Sequence, residues 1–229
     1  MGKKIISFSL WGQDPKYNIG AIRNAELAKI YYPGWICKFY VGYSVYANED
    51  YTTIDQLEAM ANVQVIHMSE PGDWKSMFWR FAPAGDDDCE VFISRDCDSR
   101  LGAREAIAVQ EWLDGPHLVL SLGDHPYHFN PSQALMGGMF GMKKNACPEM
   151  VDLIEQFIDQ YPDAWQCDQD FLKDKIWPLV RHKVLAYSDL HSSCKPFPIK
   201  RQGLEFVGKV FLADGSTVIE HEQVLKLQL

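Results

Sequence analysis

From residue 4 to residue 122 the chain alternates between two kinds of segment, and this alternation constrains the fold more than any other feature. Apolar, β-branched runs read as strands: KIISFSL (4–10), ICKFYVG (36–42), VQVIHM (63–68), CEVFIS (89–94) and HLVLSL (117–122). Between them NIGAIRNAELAKIYY (18–32), TIDQLEAMA (53–61), DWKSMFWRF (73–81) and AREAIAVQEWL (103–113) read as helices. In the first helix Ile19, Ile22, Leu27 and Ile30 can share one face, and Pro33-Gly34 ends it. Strands separated by helical crossovers favour a parallel sheet.

After residue 122 the pattern changes. DHPYHFNPSQ (124–133) is a polar, aromatic loop with two prolines, and LMGGMFGMKK (135–144) is apolar but carries three glycines. Residues 147–162 and 168–180 read as helices and 183–189 as one more strand. The tail after Glu205 reads as two short strands around Asp214-Gly215. The expected architecture is α/β, with a mostly parallel central sheet flanked by helices and a mixed C-terminal half closing over it. At 229 residues the chain is expected to form a single domain, with 1–122 and 123–229 as its two halves.

A net charge of −9 argues against nucleic acid as the partner, since phosphate backbones require a basic face. It leaves room for one cationic pocket. No segment approaches the length of a membrane span. The N-terminal apolar run meets Gly12 and Asp14 rather than a cleavage site, so it reads as a strand and not a signal peptide. The six cysteines are scattered, with no C-x-x-C pair, which makes the reducing cytoplasm the expected compartment.

The stretch VFISRDCDSRL (91–101) places Asp96 and Asp98 just past the end of an apolar strand. Ligands of open α/β sheets bind at the carboxyl ends of strands. Two carboxylates at i and i+2 can reach one centre, and a small set of hard oxygen ligands suits Mg²⁺ or Mn²⁺ shared with a phosphate. Asp is also common after strands for turn and capping reasons.

Several blocks in order give the chain a specific resemblance. SFSLWGQDPKYNIGAIRNAELA (7–28), WRF (79–81), VFISRDCDSRL, DHPYH (124–128), GGMFG (137–141), DQDFLKDKIWPL (168–179), HSSCKPFP (191–198) and EFVGKVF (205–211) together resemble a small nucleotide-sugar glycosyltransferase of the GT-A fold, of the bacterial and large-DNA-virus type. The resemblance implies that Asp96 and Asp98 hold the metal and diphosphate, and that residues 1–122 bind the nucleotide while 123–229 bind the sugar and acceptor. It nominates Phe8, Leu10 and Tyr17 to frame the base. His191 and Lys195 resemble the late His that completes the metal shell and the Lys that reaches the diphosphate. Their spacing departs from the common H-x-x-G-x-K-P-W form, with Cys194 in the altered stretch and Phe197 in place of Trp. The implied donor is a nucleoside-diphosphate sugar, UDP-linked on family prevalence, and the acceptor a glycan or other hydroxyl compound.

Other residues carry both a functional and a structural reading. Arg23, one turn past the first strand, can reach phosphate or serve as a surface cation. Arg80 can meet the leaving group or lie along a buried face with its head in water. Arg95 can join the nucleotide site or pair with its neighbouring carboxylates. Asp124, His125 and His128 suit sugar hydroxyls or a satisfied loop. Gly137 and Gly138 suit a close backbone approach to a ligand or a bulge. Asp168 and Asp170 are base candidates for an inverting transfer, or first-turn helix charges. Three rivals use some of the same residues. A phosphatase would take the D-x-D aspartates as nucleophile and metal ligand. A nucleotidyltransferase needs a Gly-rich loop after the first strand, where this chain has only Gly12 and Gly20. A non-catalytic carbohydrate-binding module would use the aromatic residues.

Overall fold

The computed structural model describes residues 2–46 and 52–228. Seven strands form one sheet: β1 (Lys3–Leu10), β2 (Ile36–Val41), β3 (Val63–His67), β4 (Cys89–Arg95), β5 (Val119–Leu122), β6 (Met139–Lys143) and β7 (Val184–Tyr187). Their order is β3-β2-β1-β4-β6-β5-β7. All neighbours run parallel except β6, which is antiparallel to both β4 and β5. The glycine-bearing segment 135–144 thus supplies the strand that wedges between the fourth and fifth strands of the alternating half. Strands from both sides of residue 122 share one sheet.

Strand periodicity divides the core into two layers. Ile6, Phe8 and Leu10 of β1, with Val91 and Ile93 of β4, face α1 (Pro15–Tyr31), α2 (Thr52–Glu58) and α3 (Ala103–Asp114). Ile5, Phe92 and Phe140 face the opposite layer. There a run of 3-10 turns, Trp74–Gly85, packs with α4 (Met150–Gln160) and a helix that begins as α5 (Cys167–Phe171), widens into a π turn at Leu172–Ile176 and finishes as α6 (Trp177–Val180). The segment 73–81 is therefore helical in a tighter form than its apolar spacing suggests. Among the described residues no helix is long and apolar enough to cross a membrane.

Helix α1 corrects one expectation. Its buried positions are Gly20, Ala21, Asn24, Ala25 and Ala28, while Ile19 and Ile30 are exposed. Small residues face the sheet because the turn after β4 presses on the helix. A Cβ at Gly20 would overlap the Cys97 carbonyl oxygen and crowd Arg100. Gly20→Ala is expected to destabilise the fold by roughly 1–3 kcal/mol and to displace the Asp96–Asp98 turn; the melting temperature and hydrogen exchange of the turn's amides, measured together, check this. The tail is a second correction. Asp214-Gly215 forms a turn closed by a single Phe211–Thr217 bridge, but the chain then enters α7 (Ile219–Lys226) instead of a strand.

Candidate active site

The turn after β4 is held from three sides. Buried Asn24 donates from its side-chain amide to the Ser99 carbonyl at 2.9 Å and the Cys97 carbonyl at 3.3 Å, and accepts from the Leu101 amide at 3.0 Å. Ser99 Oγ donates back to the Asp96 carbonyl at 3.0 Å. From the tail, the Phe211 amide donates to the Asp98 carbonyl at 2.8 Å. Asn24 is a positioning residue that the sequence reading missed.

This bracing turns both carboxylates toward a cavity of about 340 Å³ at the carboxyl ends of β1 and β4. Leu10, Tyr17, Arg80, Asp96, Cys97, Asp98 and Val210 line it, with Trp11, Trp74 and Trp165. Asp98 is the more buried of the two carboxylates, and burial, then the charge of Asp96, pushes its carboxyl up to about 6. Lys16, over the ring of Tyr17 at 4.5 Å, stands 4.0 Å from Asp98 and opposes that rise. Burial of the Tyr17 phenol, then the nearby Asp98 charge, raises its pKa.

Arg80 connects the pair to a third carboxylate. Its guanidinium pairs with Asp96 through one nitrogen and with Asp168 at 2.7 Å through the other. Arg80 and Asp168 are nearly fully buried, whereas Asp96 remains 44% exposed to the cavity. The backbone amide of Arg80 is fixed to the end of β1 by Ser9 Oγ at 3.0 Å. Gly137 and Gly138 fit against this group: a Cβ on Gly137 would meet Asp168 and Arg80, and one on Gly138 would meet Asp96. The sequence suggests a close approach to a ligand, or a bulge, at these glycines; the groups that stand against them in the structure are the protein's own Asp168, Arg80 and Asp96 side chains. Gln169, also missed in the sequence, bridges the Gly137 amide at 3.3 Å and Asp168 at 3.1 Å.

Other nominated residues lie elsewhere, each for a visible reason. Phe8 is fully buried and stacks on Phe39 at 4.6 Å, because it sits deeper in β1 than Leu10. Arg23 is on the outer side of α1, paired with Glu26 at 2.8 Å. Arg95 is 2% exposed and points into the core, bonded to Glu105 at 2.7 Å and to the Gly138 carbonyl at 2.9 Å. Asp170 accepts from Tyr161 at 2.6 Å, facing away from Arg80. Lys195 pairs with Glu111 of α3. His191 does not line the cavity, and among the described residues no three His, Cys, Asp or Glu side chains gather as a metal set.

The loop Asp124–His128 is likewise structural in its contacts. Asp124, fully buried, accepts from Arg104 at 2.8 and 2.9 Å, from Arg201 at 2.7 Å and from the Val207 amide at 2.9 Å. His128 Nδ1 accepts from the Asp124 amide at 3.0 Å, and His125 Nε2 meets the His221 carbonyl at 2.9 Å. Burial, then neighbouring His125 and Arg95, pushes the His128 imidazole down to about 3, and burial also lowers His125. A His depressed below its ordinary 6.5 binds fewer protons folded than unfolded. Stability therefore falls as pH drops from 6.5 toward 3, by about 2 kcal/mol at pH 5 for His128 alone. Melting curves at pH 7 and pH 5 should show this loss, and His128→Asn, which keeps an acceptor but cannot charge, should reduce it.

No family model matches the sequence, and no curated protein does. Solved structures do match the fold. A glycosyltransferase involved in glycosylating the major capsid of PBCV-1 aligns at TM-score 0.53 and 12% identity, over 83% of each chain. That alignment, taken with the sheet order, decides the architecture. The fold is GT-A. Residues 1–349 of TarS from S. aureus, in complex with UDP, align at TM-score 0.50 and 11% identity, over 85% of this chain and 59% of that one. A 4-diphosphocytidyl-2C-methyl-D-erythritol synthase from Anaerococcus prevotii aligns at 0.51 and 9% identity, over 82% and 87%. GT-A architecture thus accommodates more than one chemistry, and the site must decide among them.

Proposed function

We propose that the chain is a metal-dependent glycosyltransferase, moving a sugar from a nucleoside diphosphate, UDP first, to a hydroxyl of a glycan or other acceptor. The observation that carries this reading is the convergence of Asp96 and Asp98 on one cavity at the sheet's carboxyl edge, with the Arg80 guanidinium against Asp96. The donor set suits Mn²⁺ or Mg²⁺. Both carboxylates present hard oxygens to one cavity, and a shared cation would offset the Asp96 charge beside the buried Asp98 carboxyl. The remaining ligands would come from diphosphate oxygens and water. Such an ion supplies Lewis-acid neutralisation of the departing diphosphate.

The chain's own residues supply the rest. Arg80 holds a fixed positive charge at the cavity wall, preorganised by Asp168 and Ser9. Lys16 brings a second cation beside Asp98. Asp168, 1% exposed and bonded to Arg80, acts as a positioning residue. Among the described residues the carboxylates lining the cavity are Asp96 and Asp98, with no other acidic side chain on those walls to receive the acceptor proton. This favours transfer in which the leaving diphosphate takes the proton. The β1–α1 connection, with Gly12 as its one glycine, lacks the Gly-rich loop a nucleotidyltransferase would use. The six free thiols, five of them buried, support a reducing compartment.

The test is a thermal-shift panel of UDP, GDP and CDP with and without Mn²⁺. One diphosphate should stabilise the protein only with metal, by about 2.7 kcal/mol at a hundredfold excess over Kd. Response to free sugar alone would favour a binding module, and phosphate release from a generic ester a phosphatase.

A further inference from the structure

Two of the three tryptophans around the cavity show large exposed surfaces: Trp74 is 45% and Trp165 68% exposed. Two water-facing indoles lining one cavity offer flat apolar faces with a polar N–H edge, a surface that a ligand can cover. Their backbones are firmly placed. Asp73 and Ser76 form a reciprocal cap around Trp74, with bonds of 3.0 and 2.9 Å. Asp163 accepts from the Lys75 amide at 3.0 Å, and Lys75 Nζ donates to the Ile158 carbonyl at 2.6 Å, tying the two segments together. Gln166 adopts a left-handed φ of 67°, a conformation unfavourable for a non-glycine residue, directly after Trp165.

The two rings reach the cavity on elements other than those that carry Leu10 and Tyr17. Tyr17 and Leu10 belong to α1 and β1, beside Lys16 and Asp98. Trp74 opens the 3-10 segment that carries Arg80, and Trp165 precedes the helix that carries Asp168. A donor whose base lies by Tyr17 and whose diphosphate lies on Asp96 and Asp98 leaves the walls built by the Arg80 and Asp168 segments, which carry the two rings, for a second ligand.

We infer that the acceptor is a neutral saccharide, docked by stacking a pyranose ring on Trp165 and Trp74; this rests on the reading of the cavity as a donor site. The C–H face of a pyranose packs on indole while its hydroxyls stay hydrated, and a chain of net charge −9 disfavours an anionic polymer.

The test uses the whole chain, fluorescently labelled, on an array of α- and β-linked glucose, galactose and mannose oligosaccharides, with the diphosphate and Mn²⁺ that give the thermal shift. Wild type should bind at least one, and Trp74→Ala and Trp165→Ala should each weaken that binding about tenfold, with Trp165→Phe restoring part of it. Both variants should keep the nucleotide shift. Nucleotide shift without saccharide binding overturns this inference and leaves the donor reading intact. Saccharide binding unchanged in both variants overturns it, as does loss of the nucleotide shift, which would mean that the rings hold the base. No nucleotide response in wild type removes the donor reading, and this inference with it.

Discussion

If the proposed function holds, Asp98→Asn is expected to lower sugar transfer by about 10²–10³ and, in metal-free buffer above pH 6, to raise the melting temperature. The two effects have one cause. Asparagine keeps the shape of the side chain and the backbone bond from Phe211, so the turn braced by Asn24 stays formed. What it removes is a charge in a nearly closed place beside another of the same sign. The folded carboxyl titrates near 6 instead of 3.8, so the native protein holds its proton longer than the unfolded chain. Between those values stability is lost as pH rises, on the order of 3 kcal/mol by neutrality. A neutral amide escapes that loss. A residue conserving only the fold would lower activity and melting temperature together. Unchanged transfer with Mn²⁺ and donor, or a melting temperature that falls with activity, would contradict a metal and diphosphate role for Asp98.

The sheet was legible because its strands are apolar runs bounded by turns, and the placement of Asp96 and Asp98 at a strand end followed directly. Strand order was not legible: nothing in LMGGMFGMKK says that it inserts antiparallel between β4 and β5. Periodicity misread α1, because it assumes that large apolar residues face inward. The sheet side instead takes Gly20, Asn24 and the alanines, and Ile30 is left 68% exposed. Asp14 and Pro15 did mark the true helix start, since Asp14 accepts from the Lys16 amide and Pro15 occupies the first turn. Read that way, they would have placed Lys16 beside the carboxylates.

That Leu10, Tyr17, Arg80, Asp96 and Asp98 meet at one cavity was legible because strand ends and the adjoining turns converge there. Arg95 was not, since a side chain alternates faces along a strand and its neighbour Asp96 already lies in the turn. Asp124, His125, His128, His191 and Lys195 occupy a region whose folding is set by long-range pairs. Lys195 finds Glu111, 84 residues away, and no local pattern announces that contact.

Asp124→Ala is expected to destabilise the protein by roughly 3–5 kcal/mol, which at about 2–4 °C per kcal/mol for a chain of this size lowers the melting temperature by roughly 10 °C. The carboxylate is fully buried and serves Arg104 by two bonds, Arg201 by one and the Val207 amide by another. Truncation removes two of the four hydrogen bonds from Arg104 and one of the three from Arg201, leaving two guanidiniums near one another. Arg104 retains Asp189 at 2.5 Å and the face of Phe197 at 4.2 Å, but Arg201 retains mainly the backbone carbonyls of residues 124 and 205. The consequence reaches the cavity through the chain itself. Val207 leads in three residues to Val210, which lines the cavity, and in four to Phe211, whose amide holds the Asp98 carbonyl. Loosening the arginine knot should therefore free the tail and weaken nucleotide binding without touching a ligand-facing side chain. Limited proteolysis should cut the variant first between residues 199 and 211, and a melting temperature within about 2 °C of wild type would show that the buried charges find other partners.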